Sequence, residues 1–525
     1  MSTFKNAPNL DFANQAHRAA LHDALLRLDE LVQLQKLRSL PIFAGSLHES
    51  SEVISREDPS QSAIRLGEVH YTTPEQVECA LTYLEQQTHP WRNITTRERV
   101  TMTLRLADIL EEQRCMLAAL MIRESGKPWK EADADVSEAV DFCRYYAGLM
   151  QELNEGLSID LPGQENSTNY WPRGRVAVIS PWNFPLAILC GMTIAALITG
   201  NQAVIKPAEQ SSLIGFEFVR ALEQAGFPTS SFAFLPGAGD VVGKMLVESA
   251  LIDMICFTGS KEVGLHIIES AAKNRTRQRS IKKVVAEMGG KNCIIVDSDA
   301  DIDAAVSGIL YSSFGYSGQK CSACSRVIIV GDHYDRICAR LQEAAKDLPI
   351  GPSVNPETIV GPLIDEESRT RVLQKIAQAE TEATLLFKGD APSTGHFVPV
   401  TIFKDAPRDS SIWKEELFAP VLAISKAHSF FEAVLTASES EFALTGAVFS
   451  RHPEHIEYAK RHFEVGNLYI NQGSTGALVA RQPFGGFKLS GCGAKAGGHN
   501  YLLQFLNERT VTENTMRKGY TPELA

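Results

Sequence analysis

The chain has 525 residues, of which 44% are hydrophobic and 22% charged; these are globular values that exclude a wholly disordered protein and suggest about three domains, or two with additions. Its 51 basic and 63 acidic residues leave a net charge of −12, which argues against a protein that coats nucleic acid. The ten cysteines show neither finger-like nor knottin-like spacing, read mostly as buried thiols, and favour a reducing compartment.

The opening MSTFKNAPNLDFANQ has no apolar core behind a basic start and no Arg-rich amphipathic pattern, so a cytoplasmic protein is expected. The first ~160 residues read mostly helical, through DFANQAHRAALHDALLRLDELVQL, TPEQVECALTYLEQQ, RERVTMTLRLADILEEQRCMLAALMIRES and EADADVSEAVDFCRYYAGLMQEL. From Arg175 short β-branched runs alternate with helical patterns: RVAVISP, QAVIKP, FAFLPG and MICFTGS are strands of a parallel, doubly wound sheet. Between the first two, Phe184 to Gly200 is apolar, but Pro185 and two glycines make it a buried interior helix rather than a membrane span. A second α/β block starts near Glu287, with strands at NCIIVD, SRVIIVGD, TLLFKGD, AVFS and NLYIN. FLNERTVTENT alternates like an edge strand.

Cys321, in FGYSGQKCSACSR, differs from the other cysteines in its small polar neighbours, and Lys320 beside it would favour a thiolate. A plain loop cysteine, or a redox pair with Cys324, remains open from local sequence; no further ligands suggest a metal site. Glu287, in KKVVAEMGGKN, ends an apolar run, where burial raises a carboxyl's pKa and suits it to general-base work; a salt bridge to Lys291 is the alternative. FLPGAGDVVG sets Gly237, Gly239 and Gly243 between a strand and a helix, a weak dinucleotide-type signal. Ser260, in FTGS, opens a helix where a phosphate could sit. Asn183 offers an amide to an oxyanion, and Lys206 with Glu209 offers a donor and an acceptor to ribose hydroxyls; each alone reads equally well as a polar turn residue.

In order, SPWNFP, IKPAE, PGAGDVVG, FTGS, EMGGKN, GQKC, KEELFAPV and QPFGGFKLSG make the chain resemble the aldehyde dehydrogenase superfamily from about Ser180 to Gly491. That resemblance implies Cys321 as nucleophile, Glu287 as the base for deacylation, and Asn183 with the Cys321 N–H as oxyanion hole. It implies NAD as cofactor, with Lys206 and Glu209 at the adenosine ribose, Gly239 and Gly243 in the glycine loop, Ser260 at the pyrophosphate, and Glu416 and Phe418 at the nicotinamide end. Ala419 stands where the family usually has glycine.

FGYSGQKCSACSR, NQGSTGALVARQPFGGFKLSG and AKAGGHNYLLQF look like the L-glutamate γ-semialdehyde dehydrogenases, which complete proline breakdown. The implied reaction runs through a cysteinyl thiohemiacetal and thioester to L-glutamate. Ser322, Gly476 and Ala477 would hold the substrate carboxylate, Phe184 and Phe484 would flank its chain, and Glu138 is a weaker match to a carboxylate near its ammonium or else a solvated helix residue. Arg481 lies close in sequence without an assigned role. Succinate or aminoadipate semialdehyde is the alternative substrate, and a catalytically silent scaffold the alternative class.

The fold expected is α/β and aldehyde dehydrogenase-like: a Rossmann-type NAD-binding domain, an α/β catalytic domain and a small β-flap. Residues 1–154 and 176–286 would form the first, 287–487 the second, and 155–175 with 488–525 the oligomerisation flap and C-terminal tail. The expected partners are a small-molecule substrate and further copies of the chain, as a dimer or higher homo-oligomer, with no nucleic acid, membrane or metal. A stand-alone enzyme is expected rather than a piece of a bifunctional proline-oxidising one.

Overall fold

The structure is a computed structural model that describes residues 4–273 and 276–516. Residues 517–525 of the expected tail lie outside the described residues.

Two large sheets organise the chain. In the first, Lys283–Glu287, Met254–Thr258, Arg175–Ile179, Gln202–Lys206 and Phe232–Phe234 lie side by side in that order, all parallel. The strands are apolar on both sides because both faces are covered. Val176, Val178, Ala203, Ile205 and Cys256 feed one core layer, while their neighbours Ala177, Val204, Ile255 and Phe257 feed the other. The helix Ala187–Ile198 sits in the first layer with nearly every side chain buried. Among the described residues no helix is long and apolar enough to cross a membrane.

Chain order reverses direction across this sheet between Arg175–Ile179 and Met254–Thr258, the kind of switch point where α/β proteins bind ligands. Asn183, Lys206, Ser260 and Glu287 all lie at or just beyond the carboxyl ends of its parallel strands.

The second sheet has seven strands, with Asn292–Val296 between Cys324–Val330 and Thr445–Phe449 at its centre. Thr401–Lys404 and Val421–Ala427 also belong to it, although the sequence pattern did not single them out. The Met288–Lys291 turn joins the carboxyl end of Lys283–Glu287 to the amino end of Asn292–Val296, so the two sheets meet at Glu287.

The amino-terminal region departs from the helical expectation. Between the helices Gln15–Gln33 and Pro74–Gln86 lie five short strands; Val53–Asp58 and Gln61–His70 form an antiparallel pair. VISRED is polar and mostly exposed, so no apolar alternation announced it. RERVTMTLRLADILEEQRCMLAALMIRES is two helices, Thr96–Glu112 and Arg114–Glu124, broken at Gln113. The segment after Ala238 starts with a π-helical turn, Gly239–Gly243, before a short α-helix, Lys244–Glu248.

A separate three-stranded sheet occupies the segments expected for the flap: Leu506–Asn514 pairs antiparallel with Gln164–Pro172, which pairs with Leu157–Ser158. Gly491–Cys492 lies elsewhere, extending the first sheet antiparallel to Lys283–Glu287.

Candidate active site

A cavity of ≈ 320 Å³ opens where the two sheets meet, lined by Cys321, Glu287, Ser322, Gly476, Ala477, Phe184, Phe484 and Glu138 among others. The six residues expected to hold the substrate's carboxylate, chain and ammonium thus line one space with Cys321 and Glu287, while Asn183 is not part of its lining.

Cys321 sits in a turn just before Cys324–Val330. The approach is tightly shaped: Tyr316, Ser317 and Gly318 take left-handed φ of 53°, 58° and 67° in succession. Such backbone is costly for non-glycine residues and is held here by packing, with the Ser317 hydroxyl donating to the Gly361 carbonyl at 2.7 Å. Asn292 locks the other side of the turn. Its Nδ2 donates to the Cys321 and Ala323 carbonyls at 2.7 and 2.9 Å, while its Oδ1 accepts the Thr445 N–H at 2.9 Å. Local sequence gave Asn292 no role, and only its place within EMGGKN marks it.

The Cys321 thiol and the Glu287 carboxyl are neighbours in the cavity wall. Burial, with Glu416 adding like charge, pushes Glu287 up to about 8, and the nearby thiol opposes the rise. Its Oε1 is buried without a hydrogen-bond partner. Burial and the charges of Glu287 and Glu416 push the thiol well above its usual range. The resting nucleophile is therefore a protonated thiol, beside a carboxyl that also holds its proton near neutral pH.

Lys320 Nζ is buried on Glu131 Oε1 at 2.6 Å and lies over the Tyr311 ring, so Glu131 is its main partner and the Cys321 thiolate a lesser one. Lys291 forms no salt bridge with Glu287; burial and neighbouring Arg326 push the Lys291 amine down to about 7. All ten cysteines are free thiols, and Cys324 Sγ donates to the Arg326 carbonyl at 3.2 Å.

Asn183 is buried beside this turn, its Nδ2 donating to the Gln319 carbonyl at 3.0 Å, which leaves one amide hydrogen. Ser322 is buried, and its carbonyl accepts both the Thr445 and Ser474 hydroxyls at 3.2 Å. Gly476 has φ +90° with open space around it, as a loop presenting backbone N–H groups requires. Glu138 is no solvated helix residue. It lines the cavity, and burial with nearby Asp135 and Asp141 pushes its carboxyl up to about 8. Arg481 is exposed and does not line the cavity.

A second group converges beyond the first sheet. Gly239 N–H donates to Glu209 Oε1 at 2.7 Å, and a methyl on Gly243 would touch the Lys206 stem at 3.7 Å. Lys206 Nζ, buried, donates to the Pro207 carbonyl at 3.1 Å; burial pushes the amine down to about 8. A buried amine with two donors to spare beside an accepting carboxylate fits a ribose diol. Ser260 caps the helix Lys261–Ala272, its Oγ accepting the Val263 N–H at 3.3 Å while its O–H stays free to donate. Nearer the thiol, Glu416 Oε1 accepts the Gly290 N–H at 2.8 Å, and burial pushes its carboxyl up to about 7. Phe418 packs edge-on against Trp182, ring centroids 5.6 Å apart, so the SPWNFP and KEELFAPV segments meet. The Ala419 methyl is buried in the core without displacing this arrangement.

These residues and their fold place the chain in the aldehyde dehydrogenase family, whose profile matches residues 47–511. Within that family it is similar to a 1-pyrroline-5-carboxylate dehydrogenase of Geobacillus sp. (strain WCH70), 41% identical over 97% of this chain and 99% of the relative. It superposes with TM-score 0.95 on the Thermus 1-pyrroline-5-carboxylate dehydrogenase solved with bound NAD, 37% identical over 98% of this chain and 99% of that one. Proline utilization A of Bdellovibrio bacteriovorus matches with TM-score 0.97 and 45% identity; 99% of this chain spans 54% of that one.

Proposed function

We propose that the chain oxidises L-glutamate γ-semialdehyde, the open form of 1-pyrroline-5-carboxylate, to L-glutamate with NAD, the second step of proline catabolism. The observation that carries this reading is the thiol–carboxyl pair of Cys321 and Glu287 in a cavity that also holds Ser322 and the Gly476–Ala477 loop. The similarity to 1-pyrroline-5-carboxylate dehydrogenases over nearly the full length supports the choice of substrate.

Glu287 takes the Cys321 proton, and the thiolate attacks the aldehyde carbon. The free Asn183 amide hydrogen and the Cys321 N–H meet the oxyanion of the thiohemiacetal. NAD, when bound, supplies the hydride acceptor. Once Glu287 has passed its first proton to solvent, it takes another from the water that opens the thioester. Lys206 and Glu209 hold the adenosine ribose, with Gly239 and Gly243 allowing close approach. Ser260 donates to the pyrophosphate, and Glu416 and Phe418 fix the nicotinamide ribose and ring. Glu209 also disfavours a 2′-phosphate, which selects NAD over NADP. Ser322 and the Gly476 and Ala477 N–H groups take the substrate carboxylate, Phe184 and Phe484 flank its chain, and Glu138 faces its ammonium.

The same reading makes the enzyme a cytoplasmic homo-oligomer, a dimer or larger. Its ten free thiols suit a reducing compartment. The flap leaves Leu157, Ile159, Leu161 and Trp171 exposed beside an open strand edge, which a second copy would cover.

The test is NADH formation with glutamate semialdehyde, succinate semialdehyde and propanal. Selectivity for the first is expected; equal use of propanal overturns the substrate. Cys321→Ala abolishes oxidation while NAD still binds, and Glu287→Gln slows both the NADH burst and the steady turnover that follows it.

A further inference from the structure

The amino-terminal segment reaches the cavity mouth. Ala7 and Asn9 line the same space as Cys321, although nothing in their local sequence suggests a site. The segment is fastened along its length to the helix Trp129–Leu153. Ala7 N–H donates to Asp141 Oδ1 at 2.7 Å and Leu10 N–H to Asp133 Oδ2 at 2.7 Å. Ring contacts flank these bonds, Phe4 on Tyr145 at 5.2 Å and Phe12 on Trp129 at 5.4 Å.

Asn6 differs from the rest of this strap because it bonds in two directions. Its Nδ2 donates to Asp141 Oδ2 at 2.7 Å and to the Val479 carbonyl at 3.0 Å. Val479 is two residues beyond Ala477, in the loop that lines the cavity. At its front this loop is held by Ser474, whose N–H donates to Ser312 Oγ at 3.1 Å and whose hydroxyl donates to the Ser322 carbonyl. Behind, Ala480 N–H donates to the Gly497 carbonyl at 3.0 Å. Between these ties stands Gly476, with positive φ and open space where a Cβ would project, and Leu478 N–H donates to Gln482 Oε1 at 3.0 Å. Asn6 is thus the side chain that couples the strap and the helix to the part of the loop nearest the cavity.

We infer that Asn6 is a positioning residue for substrate recognition: through Val479 it fixes the Gly476–Ala477 turn in the geometry that receives a carboxylate, and so sets selectivity for carboxylated over plain aldehydes. The inference rests on the carboxylate site proposed above. A loop that must aim several N–H groups at one anion loses affinity when its backbone drifts, because each donor is directional. An aldehyde without a carboxylate makes no use of that turn.

The test compares steady-state kinetics of Asn6→Ala and of the exchange Asn6→Asp/Asp141→Asn with glutamate semialdehyde, succinate semialdehyde and propanal. In the exchange, the new amide at 141 donates to the new carboxylate at 6 and accepts the Ala7 N–H, so the strap docks again. The carboxylate at 6 cannot donate to the Val479 carbonyl. Both variants are expected to raise KM for the carboxylated aldehydes about tenfold, with kcat within twofold and propanal kinetics unchanged. The exchange is also expected to restore the melting temperature lost in Asn6→Ala. Equal variant-to-wild-type ratios for all three aldehydes, or recovery of KM by the exchange, overturn the inference and leave Asn6 a docking contact alone. The wild type's own ranking of the aldehydes reports separately on the proposed substrate.

Discussion

Lys127 shows how a side chain can govern the site without reaching the substrate's reacting atoms. It is fully buried, with its Nζ donating to the Asn183 carbonyl at 2.6 Å and lying 2.9 Å from Asp135 Oδ2. The Phe184 and Tyr316 ring centroids are 3.9 and 4.7 Å from it. Asp135 in turn accepts the Ala187 N–H at 2.6 Å, so the pair grips the loop at Asn183 itself and at the helix start that follows it. Lys127→Met should destabilise the fold by about 3–5 kcal/mol, because Asp135 is left buried and unpaired. Adding Asp135→Asn should return most of that stability, yet kcat should stay down on the order of 100-fold as the oxyanion donor drifts. Thermal melts and the NADH burst separate the two effects, and a double variant with a normal burst would deny Lys127 this role. Glu287 supports a second expectation. It works only as a carboxylate, and its carboxyl is pushed up to about 8, so turnover should climb between about pH 7 and 9 and lose that climb in Glu287→Gln. Cys321, Glu287 and Asn183 drew attention in the sequence through the ordered motifs around them, since each alone reads equally well as an ordinary residue. Lys127 and Asn292 did not, since a buried lysine or asparagine acquires meaning only from partners distant in sequence.

The turn Met288–Lys291 is closely constrained on several sides. It links the two large sheets, presents Glu287 at one end and Asn292 at the other, and its Gly290 N–H fixes Glu416. A methyl on Gly289 would stand 2.0 Å from Glu416 Oε2, and one on Gly290 2.6 Å from the Cys321 carbonyl. Gly289→Ala must therefore push the Glu416 carboxylate aside. With Glu416 at the nicotinamide ribose, KM for NAD should rise about tenfold while the Cys321 thiol keeps its reactivity towards an alkylating probe. An unchanged KM would remove Glu416 from the cofactor site. Elements of this central part were readable because buried parallel strands are apolar runs bounded by turn residues. The Val53–Asp58 and Gln61–His70 pair was not, for Val53–Asp58 is polar and mostly outside the core, and Gln61–His70 buries only its far end, with Leu66 and Val69 in the core. Val421–Ala427 was hidden differently: its first residue closes the KEELFAPV motif, so the strand merges with the turn before it.

At the scale of the whole molecule, burial of ionisable groups ties the cavity to stability. Burial pushes Glu124 and Glu416 up to about 7, and Glu138 and Glu287 up to about 8, from an ordinary 4.5. Above that ordinary value the unfolded chain has released these protons while the folded chain still holds them. Folding then takes up protons, and stability declines as pH rises from about 5 through 7. Lys206 and Lys291 act with the opposite sign, because burial pushes their amines down to about 8 and about 7 from 10.5. Above their folded values the unfolded chain binds the extra protons, so their contribution grows with pH and flattens the decline above about pH 8. The melting temperature should therefore fall between about pH 5 and 7 and level off at higher pH. Glu138→Gln removes one of the carboxyls and should make that fall shallower. A melting temperature that rises through the same interval would mean these carboxyls are ionised in the folded enzyme, and with that Glu287 would lose the proton-holding state from which its catalytic pH dependence is derived.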